Sequence, residues 1–170
     1  TKDIKLSTEI KKAVDRKNLS ATSKTDHYSN ADIIIVSINC DLVTNDGIKS
    51  IDLNSFKKSI FTISENISED TLLVIESTVP PGTCEHIVYP IFKKSFKDIE
   101  LNINRLYLAH SYERVMPGEN YFDSIVNFWR VYSGINEDSA EKCEAFLKTI
   151  INHYEYPLTK LKNTTSSETA

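Results

Sequence analysis

The sequence predicts an α/β fold: part of a Rossmann-like, doubly wound parallel sheet with flanking helices. Short runs rich in β-branched residues alternate along the 170 residues with longer amphipathic segments, an order typical of parallel strands joined by helices. Segments 32–38 and 71–75 each contain a continuous apolar run, as expected of strands that are buried on both faces. We therefore predict a sheet of about four to five strands.

The first half of the chain predicts three helices around these two strands. A helix near the amino terminus is predicted from apolar residues at helical spacing: Leu6, Ile10 and Val14. Another is predicted over 54–67, because its apolar side chains fall on one face with lysines between them. Strand 71–75 then runs into a Pro-Pro-Gly turn, which leads into a helix over 84–97.

The second half continues the same alternation. We predict strands over 105–110, 129–133 and 154–158, with an amphipathic helix over 138–151 before the last of them. The run that begins at Thr164 has the pattern of a capped helix start. Because this helix opens so close to the last residue, and because no G-x-G-x-x-G loop precedes the first strand, we expect the chain to be an internal piece of a longer protein.

Composition and charge exclude several classes of function. A formal net charge of −4 without a long basic run argues against nucleic acid as a partner. No apolar stretch approaches the roughly 20 residues of a membrane helix, and we find no signal peptide, so we predict no membrane partner. Three cysteines without paired spacing indicate free thiols in a reducing cytoplasm, and four scattered histidines predict no metal site.

The candidate functional residues follow three of the predicted strands. Polar segments at 39–41, 76–83 and 111–118 begin where those strands end. Ligands of open α/β sheets bind beyond the carboxyl ends of the strands, so these segments would together form a binding crevice. Considered alone, Ser77 and Thr78 could also be a plain strand-to-helix connection, and Glu113 with Arg114 a surface ion pair.

These segments resemble motifs of the UDP-glucose/GDP-mannose dehydrogenase family. Segment 76–83, E-S-T-V-P-P-G-T, resembles the family's E-S-T-V-P-x-G-T stretch, and segment 111–118, S-Y-E-R-V-M-P-G, resembles its S-P-E-R-x-x-P-G loop. Segments 130–134 and 166–170 are similar to its next strand and to the start of its long central helix. The matches follow the family order along most of the chain, which makes coincidence a poor explanation.

The resemblance implies an NAD-dependent enzyme that oxidises the C6 alcohol of a UDP-sugar to the uronic acid, a precursor of polysaccharides. In this family the reaction passes through a thioester on a cysteine. Residues 1–160 would be the later part of the NAD-binding domain. Residues 161–170 would begin the central helix through which the full-length, cytoplasmic protein forms a homodimer.

The resemblance also assigns roles to individual residues. NAD contacts would come from two strand ends: Ile38, Asn39, Cys40, Asp41, Leu42, Ser77, Thr78 and Val79. Nucleotide-sugar contacts would come from the next loop: Glu113, Arg114, Val115, Met116 and Pro117. Glu113 would be the catalytic base that helps water to hydrolyse the thioester, and Thr78 would help to hold that water.

The sequence departs from the family pattern at three points. Cys40-Asp41 replaces the family's Thr-Pro, which places an acid beside an anionic dinucleotide, and Tyr112 replaces a proline of the second motif. None of the three cysteines lies in the family's G-F-G-G-x-C motif, so we predict that the chain is inactive alone. The alternative is a non-catalytic Rossmann-like binding or regulatory module; the 111–118 loop argues against a third possibility, a dehydrogenase of hydroxy acids.

Overall fold

The computed structural model of this chain describes residues 4–40, 42–45, 48–113, 115 and 121–170. The strands are β1 (Ile33–Val36), β2 (Leu42–Asn45), β3 (Ile48–Ile51), β4 (Leu72–Ile75), β5 (Tyr107–His110), β6 (Arg130–Gly134) and β7 (Leu158–Lys160). The helices are α1 (Ile4–Asp15), α2 (Asn54–Ser64), α3 (Tyr89–Asp98), α4 (Tyr121–Val126), α5 (Glu137–Leu147) and α6 (Thr164–Thr169). Short turns of helix also occur at Thr25–Asn30, Cys84–Val88 and Ile103–Arg105.

The main sheet confirms the predicted α/β class. Within the described residues it has five strands in the order β1-β4-β5-β6-β7, and β2 pairs with β3 in a separate antiparallel hairpin. β1, β4 and β5 are parallel, so their carboxyl ends meet at one edge of the sheet. The sheet is not parallel throughout, because β6 runs antiparallel to β5 and β7 is parallel to β6. An antiparallel strand beside a parallel set is common in mixed α/β sheets.

Helices cover both faces of the sheet. On one face, α2 and α3 contribute a core that includes Phe56, Phe92 and Phe96, all fully buried. On the other face, α5 packs Cys143 and Leu147 against the sheet. β4 lies between these two layers, and all four of its residues are buried, as its continuous apolar run predicts.

The prediction that β1 is buried on both faces is wrong. Ile34 and Val36 are buried, but Ile33 is 39% and Ile35 is 45% exposed. β1 is the edge strand, and α5 packs against β4, β5 and β6 rather than over it. Among the described residues of this chain, one face of β1 therefore lacks the second layer that covers β4.

The last predicted strand is also displaced along the chain. We predicted residues 154–158, whereas β7 spans Leu158–Lys160. The backbone N–H groups of Glu155 and Tyr156 both donate to the carbonyl of Asn152, so a turn occupies most of the predicted strand. Tyr154 is 88% exposed in that turn. Its aromatic side chain favoured a strand by propensity, but the local hydrogen bonds determine the fold here.

No helix in the described part of the chain has the length and apolar character needed to cross a membrane.

Candidate functional site

A cleft of about 630 Å³ lies beyond the carboxyl ends of β1 and β4. We call it the β1–β4 cleft. Its lining residues are Ser37, Ile38, Asn39, Cys40, Leu42, Ile51, Glu76, Ser77, Thr78, Val79, Pro80, Pro81 and Glu113. The structure thus brings together all the residues predicted to contact the cofactor except Asp41, which lies outside the described residues. The hairpin contributes Leu42 and Ile51, and of these only Leu42 was among the predicted contacts.

Ser77 holds the two strand ends together. The Ile38 N–H donates to Ser77 Oγ at 2.7 Å, and the Ser77 hydroxyl lies 3.3 Å from the Val36 carbonyl oxygen as its donor. The Ser77 backbone N–H also donates to the Val36 carbonyl, at 3.2 Å. Ser77 is buried, so its polar atoms are used inside the protein. For Ser77 these contacts fit the alternative of a structural role in the strand-to-helix connection, at the edge of the β1–β4 cleft.

The turn after β4 is held in a conformation that requires glycine. Gly82 has a φ of +87°, and a Cβ at this position would lie 2.9 Å from His86 Cδ2. Thr83 closes the turn, with its hydroxyl donating to the Pro80 carbonyl at 2.6 Å. The Gly82 and Cys84 N–H groups both donate to the carboxylate of Glu168, at 2.5 and 2.8 Å. A rigid turn therefore connects Thr78 to the following helix.

A second cleft, of about 280 Å³, lies between the end of β5 and α6. We call it the β5–α6 cleft, and it is lined by Thr78, Val79, His110, Tyr112, Glu113, Glu168 and Ala170. Thr78 and Glu113, the two residues predicted to be catalytic, line both clefts. The Glu113 carboxylate accepts a hydrogen bond from the Val115 N–H, which orients it. The other predicted sugar contacts, Arg114, Met116 and Pro117, lie outside the described residues.

Arg130 contacts both candidate loops, 76–83 and 111–118. Its side chain is 3% exposed, and Nη1 donates to the Tyr112 carbonyl at 3.0 Å and lies 3.5 Å from Glu76 Oε1. The pKa of Glu76 is raised by burial; Arg130 opposes this rise, and the charge of Glu113 adds to it. Sequence reasoning gave Arg130 no role. A charged residue inside a predicted strand was the available signal, because a buried charge needs a partner.

His110 lies at the base of the β5–α6 cleft and is held by two serines. It is 1% exposed, and its Nδ1 lies 2.8 Å from Ser167 Oγ, which in turn lies 2.6 Å from Ser133 Oγ. Burial lowers the pKa of His110, and the opposing effects of Glu168 and the Ser77 backbone are smaller. Burial therefore favours the neutral imidazole over the charged form.

The cysteines are poor candidates for a nucleophile. Cys84 is buried, and burial raises the pKa of its thiol well above the ordinary value, with Glu168 adding to the rise. Burial likewise raises the pKa of Cys143 to about 12. Since the thiolate is the reactive form, neither is activated at neutral pH. Cys40 is half-buried and lines the β1–β4 cleft.

A mostly parallel sheet with helices on both faces and a cleft beyond its strand ends defines the class of nucleotide-binding α/β domains. Residues 2–154 match the family model of the NAD binding domain of the UDP-glucose/GDP-mannose dehydrogenase family. The chain belongs to this family. Its members are nicotinamide-dependent oxidoreductases of nucleotide sugars, and NAD is the cofactor of the matched domain.

Two similar proteins are UDP-N-acetyl-D-mannosamine dehydrogenases of methanogens. The one from Methanocaldococcus jannaschii is 34% identical over 146 residues, and the one from Methanococcus vannielii is 36% identical over 149 residues. Each alignment covers 86% of this chain and 31% of the relative. The chain thus spans about a third of the length of these relatives.

The fold is shared with solved structures of related enzymes. The crystal structure of NDP-N-acetyl-D-galactosaminuronic acid dehydrogenase from Methanosarcina mazei Go1 matches this chain with a TM-score of 0.86 at 21% identity. The match covers 99% of this chain and 34% of that one. At this level of identity the likeness establishes the fold alone.

Proposed function

We propose that this chain forms the later part of the NAD-binding domain of an enzyme that oxidises the C6 alcohol of a UDP-sugar to the uronic acid. The observation that carries the proposal is that Thr78 and Glu113, from two family motifs, both line the β1–β4 and β5–α6 clefts. The names of the similar methanogen proteins favour a UDP-N-acetylhexosamine as the sugar nucleotide. The whole reaction belongs to the longer protein, of which this chain would hold part of the active site.

The β1–β4 cleft fits part of NAD. Its volume of about 630 Å³ is typical of a small-molecule pocket. Among its described lining residues the charged ones, Glu76 and Glu113, are both acids. Such a lining complements the cationic nicotinamide ring of oxidised NAD better than the diphosphate. Bound NAD would supply the acceptor for the hydride that leaves the sugar carbon.

The role that we propose for Glu113 is to activate water. Hydrolysis of a thioester requires a base that is held close to the attacking water, and a carboxylate between two clefts can reach both solvent and substrate. The Val115 N–H donates to one carboxylate oxygen, and we assign the role of accepting the proton from water to the other oxygen. Thr78 lines the same β5–α6 cleft and can hold that water through its hydroxyl. We propose that the nucleophilic cysteine lies elsewhere in the longer protein.

We further propose that the longer protein is a cytoplasmic homodimer whose central helix begins with α6. The free cysteines of the chain support a reducing compartment. On the basis of the family resemblance, we also propose that the NAD-binding domain spans residues 1–160 and that the central helix begins within residues 161–170.

The test is NADH formation by the full-length protein with NAD and a panel of UDP-sugars. We expect activity with a UDP-N-acetylhexosamine and a loss of kcat of about 100-fold or more in Glu113→Gln, since general bases contribute at least that much. Glu141→Gln, an exposed glutamate on α5, is the matched control and should leave kcat unchanged. A full-length protein that binds NAD but oxidises no UDP-sugar would instead support the non-catalytic module.

A further inference from the structure

α6 contacts both loops that carry the candidate catalytic residues. Its Glu168 carboxylate reaches the turn after β4, which follows Thr78, and accepts from the Gly82 and Cys84 N–H groups. The neighbouring residue, Ser167, reaches the end of β5, where its hydroxyl lies 2.8 Å from Nδ1 of His110. Two adjacent side chains of one short helix thus contact two strand ends.

The Glu168 carboxylate satisfies backbone groups for which the described part of the chain provides no other side-chain cap. The helical segment that begins at Cys84 has Thr83 as its N-cap, and the Thr83 side chain makes no capping hydrogen bond. Free N–H groups at the start of a helix carry partial positive charge, so a carboxylate is a strong partner for them. Because each oxygen of Glu168 takes one N–H, the carboxylate fixes the turn in two places.

The turn that Glu168 fixes determines where Thr78 lies. Gly82 adopts a positive φ, and the residues between it and Thr78 are Val79, Pro80 and Pro81, so the intervening backbone has little freedom. A movement at Gly82 is therefore transmitted to Thr78. On the other loop, Ser167 is fully buried and links His110 to Ser133, which fixes the strand end that precedes Glu113.

We propose that Glu168 is a positioning residue: by fixing the Gly82–Cys84 turn, it holds Thr78 in a defined position relative to Glu113 in the β5–α6 cleft. The inference rests on the proposed function. Glu168 acts through the backbone, because both of its oxygens already accept hydrogen bonds there.

The experiment compares Glu168→Gln with wild type and Glu85→Gln in the full-length protein. Glutamine has nearly the same shape but presents an NH₂ group to one of the two N–H donors, so the turn loses one contact. Glu85, exposed in the same helical segment, is the matched control. We expect kcat to fall about tenfold or more in Glu168→Gln, since small displacements of reacting groups cost that much. The KM for NAD should change by a smaller factor than kcat, because Thr78 is displaced whereas the Ile38–Cys40 side of the β1–β4 cleft makes no hydrogen bond to α6 among the described residues.

The split between kcat and KM separates positioning from loss of fold. If Glu168→Gln has the same kcat as Glu85→Gln, the proposal is overturned. If its melting temperature falls by more than about 5 °C, Glu168→Asp is measured instead, since its shorter carboxylate keeps the charge and can reach one N–H. A kcat for Glu168→Asp that is about threefold or more below wild type per folded molecule supports positioning, and an unchanged kcat overturns it. Wild-type protein that forms no NADH with any UDP-sugar refutes the proposed function itself, and this inference with it.

Discussion

Replacing Arg130 with methionine removes a buried cation that joins the two candidate loops. The variant loses the hydrogen bond from Nη1 to the Tyr112 carbonyl, 3.0 Å long, and a charged donor of this kind is worth about 1.5–3 kcal/mol. The contact with Glu76 is longer, at 3.5 Å, and the Glu76 side chain is 16% exposed, so we assign it about 1 kcal/mol. We expect the free energy of unfolding to fall by about 3 kcal/mol and the Tm by about 6–12 °C.

The loss of stability caused by Arg130→Met should depend on pH, because Glu76 is a titratable partner of Arg130. Burial raises the pKa of Glu76 and Arg130 opposes the rise, so removing Arg130 raises that pKa further. A carboxyl group whose pKa is higher in the folded than in the unfolded state stabilises the fold at low pH, and this contribution is lost as the pH rises through the folded-state value. Relative to wild type, the free energy of unfolding of the variant should therefore fall most at neutral pH and less at about pH 4.5.

Thermal unfolding followed by circular dichroism at both pH values measures this effect. Arg105→Met is the matched control, because Arg105 pairs with Glu69 and Asp70 at the surface, where it is 49% exposed. Such exposed pairs contribute about 1 kcal/mol or less. The buried-pair account would be refuted if the Tm of Arg130→Met lay within about 2 °C of wild type. It would also be refuted if the decrease in Tm were the same at both pH values.

Two further predictions concern the turn after β4 and the cysteines. Gly82→Ala should lower the free energy of unfolding by about 1–3 kcal/mol in urea titrations, because of its positive φ and the close approach of His86; an unchanged midpoint would contradict this. A thiol reagent should modify Cys40 first in the native protein. Cys84 and Cys143 should react only on unfolding, since burial raises both of their pKa values; equal rates, followed by mass spectrometry, would contradict this.

The sheet was predictable where a strand lies between two layers of helices. The run 72–75 is continuously apolar because both of its faces are buried, and it was identified from that pattern. The hairpin of β2 and β3 was missed, although Asp46-Gly47 is a hairpin-turn signal in the sequence. Its flanking residues do not alternate cleanly, and Leu42 and Ile51 are 65% and 43% exposed. An exposed hairpin leaves a weak hydrophobic pattern.

The meeting of the candidate segments was predictable from topology, whereas the contacts that support them were not. Parallel strands bring their carboxyl ends together, so the polar segments after β1, β4 and β5 had to meet. The contacts of Arg130 with Glu76 and of Glu168 with Gly82 join residues 54 and 86 positions apart. No local periodicity encodes such pairs, because they depend on how β6 and α6 pack in three dimensions. Only the buried charge of Arg130 could have indicated that a partner exists.

The stoichiometry of NADH per sugar tests the central claim most directly. The full-length protein, given a limiting amount of a UDP-N-acetylhexosamine and excess NAD, is predicted to form two NADH for each sugar and to release a carboxylate, because an alcohol is oxidised twice to reach an acid. One NADH per sugar with an aldehyde product would contradict a site in which Glu113 activates water for hydrolysis. No NADH at all would contradict the assignment of this chain to a UDP-sugar 6-dehydrogenase.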